Sequence, residues 1–82
     1  MAYNFITEFA LPALNLLDDL SPQVESVQGD LLRLENECYE QLFSILGRGE
    51  NAQGYSWVAH NRVVTLLATL VSELKLKQRN VA

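Results

Sequence analysis

The chain has 82 residues but only one cysteine, one histidine, one tryptophan and two prolines, and it has no long apolar run. Each shortage removes a class of protein. The lone thiol, Cys38, cannot form a disulfide within the chain, and no group of Cys and His has the spacing of metal ligands. No cofactor or metal is therefore expected. No apolar stretch approaches the ~18–20 residues of a membrane span. The first eight residues carry no lysine or arginine ahead of their apolar side chains, so they do not read as a secretory signal. A free thiol without a signal points to the cytoplasm.

Positive charge is also scarce: six Lys and Arg stand against ten Asp and Glu, for a net charge of −4. Nine of the acids lie in residues 1–50 beside only Arg33 and Arg48, leaving that segment at −7. Residues 51–82 carry Arg62, Lys75, Lys77 and Arg79 against Glu73, a balance of +3. A nucleic-acid binder would present a dominant basic face, so nucleic acid is excluded as a partner. The partition instead favours docking of the last third of the chain onto the first two thirds. A membrane-surface role for the first segment is disfavoured, because its polar side holds acids and no cation.

What the chain does have is apolar residues, 49% of the total, in helical periodicity. Three helices are expected, at about 4–20, 22–46 and 56–78, within a single all-α domain. Asn4 reads as the N-cap of the first. Its apolar half-wheel holds Phe5, Ile6, Phe9, Ala10, Ala13, Leu14, Leu16, Leu17 and Leu20, with a kink or a break at Leu11-Pro12. Ser21-Pro22 reads as an N-cap followed by a first-turn proline. Gly47 reads as the left-handed residue that stops the second helix. Gly29 lies off the apolar face, costs about 1 kcal/mol relative to alanine, and suggests a close helix crossing. Ser56 caps the third helix, whose core face is Ala59, Val63, Leu66, Leu67, Leu70, Val71 and Leu74.

These spans predict a kinked N-terminal helix plus a long antiparallel helical hairpin of about 37 Å and 33 Å. The first helix is the shortest and leaves the hairpin partly uncovered. A domain this small supplies only about 3–5 kcal/mol from its own core. The expected remedy is a homo-oligomer, a dimeric helical bundle.

No catalytic constellation is present, so an enzyme is not expected. Six residues stand out as candidate ligand or partner contacts. Glu35 falls inside the second helix's apolar arc, where a carboxylate without a partner is costly. It reads either as a register-setting polar residue or as a ligand point, with Tyr39 one turn on. His60, the only histidine, also faces an apolar side. Within one chain it is about 10 Å out of level with Glu35. Arg48, Tyr55 and Trp57 bracket the glycine-bearing loop, where aromatics beside arginine suit an interface; alternatively Trp57 plugs the bundle end. The functional expectation is a non-enzymatic homo-oligomeric interaction protein: an adaptor, small chaperone or regulator of another protein. The alternative is a small-molecule binder with an apolar pocket between helices, lined by Glu35, Tyr39, His60 and Trp57.

Overall fold

A computed structural model describes residues 4–48 and 56–80, with the side chains of Ser56, Trp57 and Asn80 left undescribed. The described residues are all helical apart from Asn4 and a two-residue turn at Gln28-Gly29. A short π-helical segment, Ile6–Ala10, leads into α1 (Leu11–Val27); α2 covers Asp30–Arg48 and α3 covers Ser56–Asn80.

Asn4 starts the first helix through local hydrogen bonding. Its Oδ1 accepts the N–H groups of Ile6 and Thr7, each at 3.1 Å. The Glu8 carboxylate reaches back to the Asn4 N–H at 2.6 Å. Reciprocal bonding of this kind satisfies donors that a helix start leaves open. The π segment then widens the turn, and Leu11 N–H donates to the Ile6 carbonyl five residues back. Pro12 follows at once. Its ring would crowd the carbonyl four residues earlier in an ordinary α-turn, and a wider turn at that point relieves the contact.

The first helix does not stop at Leu20. It runs through Ser21-Pro22, with Pro22 exposed inside the helix, and ends at Val27. The reason lies in packing. Leu17, Leu20, Val24 and Val27 keep one face in contact with the core, and Leu17 and Val24 are fully buried. A break at Ser21 would divide that face. An internal proline costs about 3 kcal/mol, an amount that burying two or three aliphatic side chains offsets at about 1.5–3 kcal/mol each.

The turn falls at Gln28-Gly29, both at positive φ (61° and 70°). Gln28 N–H closes α1 on the Val24 carbonyl at 2.8 Å, and Leu32 N–H opens α2 on the Gly29 carbonyl at 3.1 Å. Gly29 therefore serves as a helix-ending glycine rather than a crossing point. Gly47 does not stop α2, which continues through Arg48; among the described glycines only Gly29 has positive φ.

Side-chain pairs set the order of the helices. Tyr39 of α2 bonds Asp18 of α1 across the turn, so those two helices run antiparallel. Gln78 near the end of α3 bonds Gln23 near the end of α1 at 2.9 Å, and His60 near the start of α3 packs on Phe9. α3 therefore runs alongside α1 in the same direction. One core joins all three helices: Leu17 and Val24 of α1, Leu31, Cys38, Leu42 and Ile45 of α2, and Val63, Leu67, Leu70 and Leu74 of α3. The π segment (5 residues) and α1 (17) together make 22 residues against 19 in α2, so the first helix is not the shortest, and its Phe5, Ala10, Ala13, Leu17 and Val24 join the core from one end to the other. No described helix is long and apolar enough to cross a membrane.

Candidate functional site

The strongest anomaly in the core is Glu35. It is only 6% exposed, and its Oε2 accepts no hydrogen bond among the described residues. Its place follows from helix spacing, four residues after Leu31 and three before Cys38, both fully buried. One turn further on, the Tyr39 hydroxyl donates to Asp18 Oδ1 at 2.6 Å. The Tyr39 ring stacks on Phe43 at 5.8 Å between centroids. Burial first, then the bond to Asp18 and the charges of Asp18 and Glu35, push the Tyr39 phenol up to about 12, with Ser21 opposing. A polar patch of Asp18, Ser21, Glu35 and Tyr39 thus lies along the α1–α2 seam.

Its chemistry is restrained. Tyr39 stays protonated and bonded at neutral pH. Cys38, beside it, is fully buried, and burial with the charges of Glu37 and Glu35 pushes its thiol up to about 11. The thiolate fraction at pH 7 is then about 10⁻⁴, too small for a nucleophile. No group of three or more His, Cys, Asp or Glu is placed to hold a metal among the described residues.

His60 lies elsewhere. Its ring sits 4.4 Å from that of Phe9, tilted at 41°, and Phe9 stacks on Phe5 at 5.2 Å. This aromatic row lies near the starts of the first helix and α3. Phe9 precedes Asp18 by nine residues, more than about 10 Å along the helix. Glu35 and Tyr39 are therefore separated from His60, in keeping with the axial offset expected within one chain. Arg48 forms a third location: with Arg62, Gln41, Ser44 and Val58 it lines a shallow, partly open cavity of about 320 Å³ where α2 ends and α3 begins. Trp57 belongs to the first turn of α3, but its side chain lies outside the description, as does all of Tyr55. The candidates whose side chains are described thus occupy three places rather than one pocket.

Sequence reasoning missed Asp18 and Arg62. Asp18 becomes visible once the turn is placed at Gln28-Gly29, because positions 18 and 39 are then equidistant from it. Arg62 gave no signal by itself; it matters through its position on the flank of α3 next to α2, across the cavity from Arg48. Comparison with protein-family profiles, curated proteins and solved structures finds no match. The functional reading therefore rests on the chain's own residues.

Proposed function

We propose that this chain is a non-enzymatic interaction protein, a helical bundle that works in the cytoplasm as a homodimer and serves another protein as adaptor, small chaperone or regulator. The observation that carries the reading is surface in excess of what the chain needs. The chain exposes 5532 Å², whereas a compact monomer of its mass exposes about 4,900 Å². Its radius of gyration is 13.7 Å and its long axis 47 Å, against about 12 Å for the radius of a compact 82-residue domain. The excess approaches the ~800 Å² that each partner contributes to a stable interface.

The distribution of chemistry supports the same reading. Cys38 and Tyr39 are held in their protonated forms, and the described candidates lie apart, Tyr39 bonded to Asp18, His60 packed on Phe9 and Arg48 at the cavity between α2 and α3. Large apolar side chains are exposed on every helix, among them Leu16, Phe43, Val58 and Leu76 at 46–66%. Sedimentation equilibrium over a micromolar concentration series tests the proposal. The expected result is twice the chain mass; a single-chain mass throughout the series overturns it.

A further inference from the structure

The outward side of α3 has a pattern that the three-helix core does not use. Val58, Arg62, Thr65, Thr69, Ser72 and Leu76 are all exposed; five of them lie roughly opposite the buried Val63, Leu67, Leu70 and Leu74, and Arg62 stands on the edge next to α2, where it and Val58 also line the cavity shared with Arg48. Their intervals are 4-3-4-3-4, the spacing of a helix–helix seam. Helix packing inside the bundle does not require this second stripe, because the core face already follows its own 3-4 spacing.

Two properties make the stripe suited to contact. Between Arg62 and Lys75 its exposed residues are small and uncharged: Val64, Thr65, Ala68, Thr69 and Ser72. The Thr69 hydroxyl donates to the Thr65 carbonyl at 2.8 Å within the helix. That donor is satisfied locally, which lowers the cost of covering the centre of the stripe.

The interval pattern reads the same in both directions about Leu67. An antiparallel copy of α3 therefore sets Val58 level with Leu76, Arg62 level with Ser72, and Thr65 level with Thr69. Charge follows the same symmetry. Glu73 is the only acid on α3, half-buried on the flank that carries Arg62. In the antiparallel arrangement Arg62 of one copy comes within one residue, about 1.5 Å along the axis, of the level of Glu73 on the other. The two-fold creates this pair twice. Lys75 comes level with Ala59, so no like charges are opposed.

We propose that the occupant of this face is the same face of a second copy, packed antiparallel about a two-fold axis near Leu67 and locked by two Arg62–Glu73 pairs. This rests on the homodimer reading above and specifies its interface. Small residues at the centre allow the helices to approach closely, and the charged pairs choose the antiparallel register over the parallel one. The interface leaves the α1–α2 side, with Phe43 and Leu11, open to a different protein.

Charge exchange tests it. Arg62→Glu, Glu73→Arg, the double exchange and Ala68→Arg are compared with the wild-type full chain by sedimentation equilibrium, with circular dichroism to verify helix content. Each single exchange opposes two like-charged pairs and should weaken the dimer by about tenfold or more, while the double exchange should restore it. Ala68→Arg places two cations near the axis and should give a monomer. A wild type that stays monomeric overturns both the homodimer reading and this face. A wild-type dimer that all single variants leave intact overturns the face alone, as does a double exchange that fails to recover association.

Discussion

Replacing Glu35 by methionine should stabilise the fold, a direction opposite to that of most core substitutions. The magnitude follows from what the carboxyl lacks. At 6% exposure, with Oε2 unpartnered among the described residues, that oxygen has given up water without a replacement bond there, at a cost of about 1–3 kcal/mol. Methionine has the same unbranched length and no polar oxygen, so it fills the site with a misfit below about 1.5 kcal/mol. The net expectation is a gain of about 1–2 kcal/mol, or roughly 5–15 °C in melting temperature for a domain of this size. Glu35→Ala separates the two contributions, because it also removes the oxygen but leaves a void, and should therefore gain less or lose stability. Urea denaturation at one fixed chain concentration provides the assay, since association would otherwise shift the midpoint by mass action. Loss of more than about 1 kcal/mol in Glu35→Met would refute the reasoning: the carboxylate would then have a partner that a single chain does not contain.

Two further measurements probe the turn and the seam. Gln28 sits at φ 61° and ψ −156°, a region that essentially only glycine occupies. Gln28→Gly should therefore gain about 1 kcal/mol after the added flexibility of the unfolded chain is counted. Gly29→Ala should lose a similar amount, purely from conformation, since an added Cβ meets nothing within 4 Å; shifts of the urea midpoint in the reverse directions would contradict the turn geometry. For Tyr39, raised from its usual 10.0 to about 12, the folded state holds a proton that the unfolded chain releases. Stability is then fully present below pH 10 and falls as pH rises toward 12. Tyr39→Phe should flatten that alkaline slope and cost about 1 kcal/mol at neutral pH through the lost Asp18 bond. The slope left by Cys38, raised from 9.0 to about 11, should persist; an unchanged profile in Tyr39→Phe would count against the seam.

Helical class and core composition were legible because apolar spacing carries both. Leu31, Cys38, Leu42 and Ile45, and likewise Val63, Leu67, Leu70 and Leu74, are buried where the periodicity places them. Glu35 was legible for the same reason, as a polar residue on an apolar arc. The first turn was misplaced because two local signals competed. Ser21-Pro22 has strong capping chemistry, whereas Gln28-Gly29 has weak chemistry and one glycine. The deciding information was longer in range: Ala10, Ala13, Leu17, Leu20, Val24 and Val27 keep an unbroken 3-4 spacing through the proline. Core continuity over 18 residues outweighed a local cap. Gly47 was misread by the same habit, since an exposed glycine near a helix end need not leave the helical conformation. The Tyr39–Asp18 bond could not be found while the turn stood seven residues too early.

A turn at Gln28-Gly29 alters what self-association has to bury. With a first helix ending at Leu20, the α2–α3 pair would lack cover on one side, and a second copy would be needed to complete the core. With α1 extending to Val27, the core closes within one chain: Phe5, Leu17 and Val24 from the first helix are fully buried against the other two. A second copy then has no interior to complete and must bind an outer face. Among the three helices α3 is the longest, 25 residues against 17 and 19. α1 and α2 expose Asp19, Glu25, Asp30, Glu37 and Glu40 against Arg33 and Arg48 alone, an acidic excess that would repel itself across a two-fold. On α3, by contrast, the only acid and the basic residue of its first half lie nearly equidistant from the helix midpoint. α3 is thus the helix whose charges pair with themselves about its midpoint, and with the core closed inside one chain this makes a folded monomer that pairs reversibly more consistent with this chain than an obligate intertwined dimer.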